Sequence, residues 1–241
     1  LGADPLMETG ANGPSGLIHI VDVVADNDGR VYATGAGGLM TFAYTDGDVE
    51  LLGHYKGQGT NGTNLEVLDD QKIALASKRG FRVFDMTDPA TPESVGGVQV
   101  GMSSGMAWDG SYLYVLTMDG TLHVYDEYRK NDSPIASLDG FDSPSELVFV
   151  GDKAYVADNL SGIHVLDMSN PTNPTRITTF SGDGGAQDIA TDGQYLYVAA
   201  GSLGIEVFSI EALEKVSSLS YGSAIVAVDV SDGLLWATNL V

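Results

Sequence analysis

Residues 145–180 read SELVFVGDKAYVADNLSGIHVLDMSNPTNPTRITTF, and this stretch decides the fold. Four runs in it are rich in Val, Ile, Tyr and Thr, and they are separated by short segments of Gly, Asp, Asn, Ser and Pro. β-Branched and aromatic runs bounded by turn residues predict strands. The stretch therefore predicts four consecutive strands, named A to D, at 145–150, 153–158, 163–168 and 175–180.

The same pattern recurs along the chain. A large apolar residue ends each strand C, with spacings of 42, 41, 41 and 42 residues between Phe42, Phe84, Tyr125, Leu166 and Phe208. A marker residue in strand B occurs six times, at Tyr32, Ala74, Tyr114, Tyr155, Tyr197 and Trp236. Repeats of this length built from short strands predict an all-β fold, a β-propeller. Because one blade cannot bury its own faces, residues 1–241 are expected to form a single domain.

The count of strands makes the prediction more specific. Strands A and B occur six times, whereas strands C and D are complete five times, and residues 3–9 are in phase to supply one more strand D. We therefore expect six four-stranded blades, the last closed by an N-terminal strand D and C-terminal strands A and B, with its strand C not in the chain. Three explanations stay open: residues outside this sequence, additional blades, or a strand inserted by another chain.

Composition excludes several classes of partner. The chain has 33 acidic and 11 basic residues and a formal net charge of −22. Such a surface repels nucleic acid and anionic membranes. No run approaches 18 apolar residues, so no membrane insertion is expected. The absence of Cys excludes a disulfide framework.

A family resemblance appears at the end of strand C. FRVFDMTDPATPESVG at 81–96 and IHVLDMSNPTNPTRIT at 163–178 each carry an Asp, then Asp-Pro or Asn-Pro, then a second Pro. This pattern resembles the LVIVD repeat, whose bacterial and archaeal members are mostly predicted to be secreted or surface-anchored β-propellers. The resemblance implies an extracellular or cell-surface location, or a periplasmic one. It brings no agreed active site, so no catalytic residue is carried over, and the fifth repeat replaces the motif with Ser-Ile-Glu-Ala-Leu.

The loops that join B to C and D to A form the expected ligand face. They are small, polar and Gly-rich, which suits either close approach to a ligand or tight turns. The candidate ligand-binding residues there are Lys78, Arg79, Asp119 and Asp183. The Lys78-Arg79 pair has the chemistry to bind a carboxylate or sulfate, or serves only to offset the local acidity.

Calcium is the one cofactor that the sequence suggests. Asp26-Asn27-Asp28-Gly29, with Asp22 nearby, resembles part of a calcium loop, although Val24 occupies the first ligand position. An elongated hairpin turn is the structural alternative. Glu66, Glu146, Asp188 and Asp229 lie on or beside strand A without sharing one register, and a calcium-dependent lactonase-like hydrolase would need them to converge on a metal.

One position of strand C holds Met40, Arg82, His123, His164 and Glu206, and period-two alternation predicts one kind of environment for all five. With no nucleophile or metal signature, we expect a non-catalytic binding or assembly module. The partner is expected to be a protein or a further copy, bound by strand addition at the closing blade. The hydrolase remains an alternative, and so does an accessory subunit of a periplasmic redox complex.

Overall fold

The computed structural model describes residues 20–26, 28–45, 48–57, 62–69, 71–126, 133–231 and 233–239. Within these ranges the protein contains 22 strands and no helix. The strands form five four-stranded antiparallel sheets and one two-stranded sheet. The described part of the chain contains no helix long and apolar enough to cross a membrane. Residues 3–9, the expected N-terminal strand D, lie outside the described residues.

The chain divides into two compact units, and the first contains the strands β1 to β9. Its two complete sheets have the orders β1-β2-β3-β4 and β5-β6-β7-β8. The strands are β1 (Ile20–Ala25), β2 (Arg30–Gly35), β3 (Gly38–Thr45), β4 (Asp48–Tyr55), β5 (Gly62–Asp69), β6 (Lys72–Ser77), β7 (Gly80–Asp85), β8 (Glu93–Val98) and β9 (Ser103–Trp108).

The second unit contains β10 to β22. Each sheet again follows chain order, with β13-β14-β15-β16, β17-β18-β19-β20 and the two-stranded β21-β22. The strands are β10 (Leu113–Thr117), β11 (Thr121–Tyr125), β12 (Ala136–Asp139), β13 (Pro144–Val150), β14 (Lys153–Asp158), β15 (Gly162–Asp167), β16 (Thr175–Phe180), β17 (Asp188–Thr191), β18 (Tyr195–Ala199), β19 (Ile205–Ser209), β20 (Glu214–Leu219), β21 (Ile225–Ser231) and β22 (Leu234–Asn239).

The predicted strands of the fourth repeat are confirmed. The predicted strands B and D coincide with β14 and β16, and the predicted strands A and C differ from β13 and β15 by one residue at their ends. Gly151-Asp152 forms the turn between β13 and β14, since Val150 pairs with Lys153. Val, Ile and Tyr fill these strands because a pleated, packed surface accommodates β-branched and aromatic side chains.

The core lies around the B strands. In β14, five of six residues are buried, and in β10 all five are. These strands occupy an inner position in their sheets and pack on both faces, which explains their nearly continuous apolar sequences. The core cluster of the fourth and fifth repeats combines Tyr155, Val165, Leu196, Val198 and Phe208.

Asp side chains stabilise the A–B turns of the third and fifth repeats. Among the described residues, Leu213 is the single non-glycine residue with positive φ. Asp109 and Asp192 therefore lack the left-handed conformation that a type I′ turn requires at both central positions. Their carboxylates instead accept the N–H groups of Ser111 and Gln194, at 2.8 and 2.9 Å.

The strand C position has the predicted regular placement. Each of its residues pairs with strand D of its own sheet: Met40 with His54, Arg82 with Gly97, His123 with Ser137, His164 with Thr179 and Glu206 with Ser218. Their shared register is confirmed, but the expectation of one kind of environment is wrong, since Met40, His164 and Glu206 are buried whereas Arg82 and His123 are half-buried. Residues 210–213 form a turn, and β20 begins directly after it at Glu214.

Candidate functional site

The four loop candidates lie at exposed hairpin and loop positions. Lys78 and Arg79 form the turn between β6 and β7, and the Arg79 carbonyl accepts the N–H of Val100 at 3.2 Å. Asp119 lies in the turn between β10 and β11, where its Oδ1 accepts the Thr117 hydroxyl at 2.6 Å. The Arg79 carbonyl therefore bonds to the segment after β8, and Asp119 bonds within its own hairpin.

Asp183 belongs to a small charged cluster that the sequence did not reveal. Lys215 Nζ contacts the carboxylate of Asp183 and, at 3.0 Å, Oε1 of the buried Glu206. Glu206 Oε1 also accepts the N–H of Asp183 at 3.0 Å. Hydrogen bonds to Asp183 and Glu206 raise the pKa of Lys215. Glu206 thus holds the loop before β17 against β19 and β20.

The three predicted calcium ligands have different partners. Asp26 accepts the Asp28 and Arg30 N–H groups at 2.9 Å each through Oδ1, and the Tyr32 hydroxyl at 2.8 Å through Oδ2. Arg30 lies 3.1 Å from Asp28. Asp22 instead contacts the neighbouring strand β5. Across the described residues, no three His, Asp or Glu side chains form a group able to hold a metal ion.

The strand A carboxylates link one sheet to the next. Asp22 Oδ2 accepts the Leu65 N–H at 2.6 Å, Glu66 Oε1 accepts the Trp108 N–H at 3.1 Å, and Asp188 Oδ2 accepts the Val228 N–H at 2.8 Å. Each bond joins strand A of one repeat to strand A of the following repeat. Strand A is the edge strand of its sheet, where N–H groups lack a ladder partner. These carboxylates therefore accept N–H groups at the edge of the following sheet.

The carboxylates of strand A occupy two different registers against strand B. Asp22, Glu146 and Asp188 pair with the residue two positions after the strand B marker. Glu66 and Asp229 pair with the marker itself. The expectation that Glu66, Glu146, Asp188 and Asp229 do not share one register is confirmed. Glu146, Asp188 and Asp229 each also accept the N–H of the next residue, at 2.9, 2.9 and 2.8 Å.

Burial changes the ionisation of the first two carboxylates. Desolvation raises the pKa of Asp22, against hydrogen bonds from the Leu65 and Val23 N–H groups. Desolvation also raises the pKa of Glu66 to about 8, with a smaller contribution from the negative charge of Asp22. Because a protonated carboxyl group still accepts through its carbonyl oxygen, the bond to Trp108 persists in either state.

The buried Asp158 organises the loops of the fourth repeat. It accepts the N–H groups of Asp142, Ser143, Leu160 and Ser161, at 2.8 to 3.1 Å. Burial alone would raise the pKa of Asp158, but these N–H groups outweigh it and lower the pKa. A carboxylate with this many donors has a structural role.

His164 has contacts on both ring nitrogens. Nε2 lies 3.4 Å from Asp158, and Nδ1 lies 2.9 Å from the Thr179 hydroxyl. Desolvation and the nearby Arg176 charge lower the pKa of His164. The Ser161 hydroxyl contacts Asp142 rather than the imidazole. The arrangement therefore differs from a Ser-His-Asp triad, in which the imidazole contacts the nucleophile.

The two-stranded sheet has the most exposed apolar surface on a B strand. In β22, five of six residues are exposed, whereas in the equivalent β14 five of six are buried. Trp236 is 59% exposed, while its equivalent Tyr155 is fully buried. Ile225 and Val228 of β21 pack against Ala190, Ala199 and Ile205 of the fifth repeat. The opposite face and the outer edge of β22 stay open to solvent among the described residues.

A second exposed surface lies on the fifth repeat. All six residues of β20 are exposed, and Leu219 is 43% exposed. The equivalent residue of the fourth repeat, Phe180, packs edge-on against Phe208 in strand C of the following repeat, with ring centroids 5.4 Å apart. Leu219 and Trp236 thus mark surfaces that strands C and D cover elsewhere in the chain. Trp236 carried a sequence signal as the sixth marker, but Leu219 carried none.

Solved structures define the class of this protein. The crystal structure of the Myceliophteria thermophila Cps50 (Swd1) β-propeller domain is similar, with a TM-score of 0.78, 13% identity, and coverage of 92% of this chain and 79% of that one. The computationally designed Ika8 protein has a TM-score of 0.71, 15% identity, and coverage of 92% and 68%. At these identities the likeness concerns the fold alone, and the fold is that of a β-propeller.

Part of the chain matches the profile of the LVIVD repeat. The family profile matches residues 145–181 and 183–205, which confirms the resemblance in the fourth repeat and the first part of the fifth. The second repeat, which has the same Pro-containing motif, lies outside the matched residues. No curated protein has a matching sequence.

Proposed function

We propose that this protein is a non-catalytic binding and assembly module of the cell exterior, which accepts an extended segment of another polypeptide at β22. The proposed molecule is a six-bladed propeller whose last blade takes strand D from the N-terminus and strands A and B from the C-terminus. The LVIVD repeat supports the location outside the cytoplasm, and the net charge of −22 supports solubility there.

The exposed outer edge of β22 carries this proposal. The sequence of β22, LLWATN, contains no charged residue and is regularly paired with β21 from Ala227 to Ser231. Natural edge strands usually carry charges or bulges that prevent pairing with other chains. An open edge without charged residues is the kind of edge that β-strand addition uses.

The outer D strands contrast with β22. β16 carries Arg176 and β20 carries Glu214 and Lys215, whereas β22 carries no charged residue. Such charges disfavour pairing with a further strand. We therefore expect added segments to pair with β22 and not with β16 or β20.

Hydrogen–deuterium exchange on the 241-residue protein tests the proposal. The probe is a peptide with the β19 sequence IEVFS and two Lys residues at each end. Binding should slow the exchange of amides in 234–239 and leave 175–180 unchanged. The matched control peptide is N-methylated at alternate residues, which preserves its side chains but removes ladder donors, and it should give no protection. Equal exchange of 234–239 with and without the first peptide would contradict the proposal.

The hydrolase alternative has no comparable support. It requires carboxylates that converge on one metal, whereas Asp22, Glu66 and Asp188 each contact a backbone N–H of the following repeat. These bonds give the carboxylates a role in joining sheets. We therefore do not propose a hydrolase function.

A further inference from the structure

We propose that four exposed apolar side chains on the loops of the second unit form a docking surface for a protein segment that carries apolar side chains together with Lys or Arg. The four residues are named the turn patch: Met118, Leu160, Leu203 and Tyr221. The surface consists of side chains on turns and not of the backbone edge of β22. This inference therefore goes beyond the proposed function and does not depend on it.

The turn patch occupies corresponding places in successive repeats. Met118, Leu160 and Leu203 lie at the tips of the hairpins β10–β11, β14–β15 and β18–β19. Tyr221 lies in the loop between β20 and β21. In chain order the four residues are 61%, 78%, 43% and 61% exposed. Large apolar side chains grouped on the surface of a protein mark interaction sites, and Met and Tyr are enriched there.

Hydrogen bonds join the hairpins of the third and fourth repeats. The carbonyl of Gly120 accepts the N–H groups of two consecutive residues in the loop before β13, at 3.1 and 3.2 Å. In the same loop, the carbonyl of Ser143 accepts the N–H of Asn159 at 3.0 Å. This loop therefore lies between the hairpin that carries Met118 and the hairpin that carries Leu160.

The loop before β17 joins the hairpins of the fourth and fifth repeats. A Cβ on Gly185 would lie 2.7 Å from the carbonyl oxygen of Asn159. A Cβ on the preceding Gly184 would lie 3.3 Å from the side chain of Leu203. The same short loop thus touches both hairpins, and the hairpins with Leu160 and Leu203 are neighbours on one surface.

The loop that carries Tyr221 adjoins the hairpin of the fifth repeat. Gly201 and Ile225 exchange two backbone hydrogen bonds, of 3.0 and 3.1 Å. Tyr221 lies shortly before Ile225 in the chain. The turn patch therefore belongs to one continuous series of loops, named the loop row: residues 117–120, 140–143, 158–162, 181–187, 200–204 and 220–224.

Carboxylates lie directly beside the apolar side chains of the loop row. Asp119 follows Met118, and the carboxylate of Asp142 contacts the hydroxyl of Ser161, which follows Leu160. Both Asp residues are exposed. Apolar atoms and negative charges thus adjoin one another, and a partner that presents apolar side chains beside Lys or Arg complements them.

Two cations from strands D approach the loop row and contact other groups. Lys215 contacts Asp183 and the buried Glu206, and Arg176 donates to the Gly140 carbonyl at 2.9 Å. The sequence of the loop row itself contains no Lys or Arg. The carboxylates of Asp119 and Asp142 therefore offer their negative charges to the partner.

The hairpin of the fourth repeat holds its tip in a fixed position. The buried carboxylate of Asp158 accepts the N–H groups of Leu160 and Ser161, at 2.9 and 3.0 Å. It also accepts two N–H groups of the loop before β13, at 2.8 and 3.1 Å. A surface whose backbone is already ordered loses little conformational entropy on binding, which favours association.

A peptide of Leu and Lys tests the docking surface. The labelled probe LKKLLKLLKKLLKL is titrated with the 241-residue protein at about 0.05 M NaCl, and the control peptide has Glu in place of every Lys. The first peptide should bind, and the second should bind at least about tenfold more weakly. Leu160→Ser should weaken the first peptide about tenfold, because an apolar contact is lost. Ile177→Ser removes a 52% exposed apolar residue of β16 and should leave the affinity unchanged.

Two double substitutions separate the loop row from the summed charge. Asp119→Asn with Asp142→Asn should weaken the Leu–Lys peptide about threefold. Asp126→Asn with Asp152→Asn removes the same charge from exposed residues at the opposite ends of β11 and β14 and should change the affinity little. Equal losses in the two variants, or equal affinity of the wild type and Leu160→Ser, would overturn the proposal.

Thiol labelling and two further measurements identify the occupant. Leu160→Cys introduces the single thiol of the protein, which should react rapidly with a maleimide and slowly once the Leu–Lys peptide is bound. Slow reaction of the free protein would show that this chain itself covers the turn patch. Binding to phosphatidylcholine vesicles, or a dimer in sedimentation, that Leu160→Ser abolishes would identify a lipid surface or a second copy. Each of these three results would overturn the proposal and leave strand addition at β22 intact.

Discussion

At the scale of the residue, single carboxylates in strand A connect neighbouring sheets through hydrogen bonds. Asp188 Oδ2 accepts the N–H of Val228, a buried residue 40 positions later, while Oδ1 accepts the N–H of Ile189. Asp22 has the same pair of contacts, to Leu65 and Val23. Each of these side chains thereby accepts one hydrogen bond from an edge N–H of the next sheet and one from an N–H of its own strand. The acidic residues that the sequence suggested for a channel metal serve as acceptors between sheets.

Asp188→Ala should destabilise the protein. Removal of the carboxylate leaves the buried Val228 N–H without its acceptor, at a cost of about 1–3 kcal/mol in the free energy of unfolding. Asp188→Asn is the matched control, because its amide oxygen still accepts one N–H and the charge is lost equally. Urea denaturation measures both. If the two variants were equally stable, charge rather than the acceptor would explain the effect.

Glu66 should make the stability depend on pH. Its pKa is raised from 4.5 to about 8 in the folded protein, chiefly by desolvation. Between these values the folded state keeps a proton that the unfolded state has lost, so this contribution is fully present below the unfolded pKa and is lost as pH rises through the folded pKa. From pH 5 to pH 9, Tm of the wild type should fall on the order of 5 °C more than Tm of Glu66→Gln.

The control for this titration removes an exposed carboxylate. Asp48→Asn changes the net charge equally, but Asp48 is exposed at the start of β4. Its dependence of Tm on pH should match that of the wild type. Parallel curves for Glu66→Gln and the wild type would show that Glu66 does not retain its proton in the folded state.

At the scale of the element, glycine fixes the B–C hairpin. Gly204 directly precedes strand C of the fifth repeat and has φ +92, and a Cβ there would lie 2.0 Å from the Leu219 carbonyl oxygen. Gly193, in the A–B turn of the same repeat, has φ +87 but open space around its Cβ position. The two positions share the backbone requirement and differ in the close approach of β20.

Gly204→Ala should therefore cost more stability than Gly193→Ala. Both substitutions place Ala in the left-handed region, which costs about 1–2 kcal/mol. Gly204→Ala additionally forces β20 away from the hairpin, which adds about 1–3 kcal/mol. Thermal and urea unfolding of the two variants measure the difference. Equal losses would mean that β20 moves aside without cost.

Most elements could be predicted from the sequence, because strand and turn composition is a local property. The landmarks Tyr155 and Leu166 place β14 and β15 to within one residue. The contacts of Asp22 and Asp188 could not be predicted, since they depend on the register between strands of different repeats. The contact between Lys215 and Glu206 could not be predicted for the same reason. Asp26 resembled a calcium ligand because its contact with Arg30 is recognisable only in three dimensions.

At the scale of the whole molecule, the net charge of −22 should oppose folding through self-repulsion. Between 0.01 M and 1 M NaCl the Debye length falls from about 30 Å to about 3 Å, which screens that repulsion. Tm should therefore rise with NaCl.

Two charge variants test this dependence on salt. The first combines four substitutions at exposed residues, which change the net charge from −22 to −18: Glu50→Gln, Glu93→Gln, Glu211→Gln and Glu214→Gln. In this variant the rise of Tm with NaCl should be smaller. Lys78→Gln with Arg79→Gln changes the net charge to −24 and should steepen the rise. Identical salt dependence in all three proteins would show that local contacts, and not the summed charge, set the response.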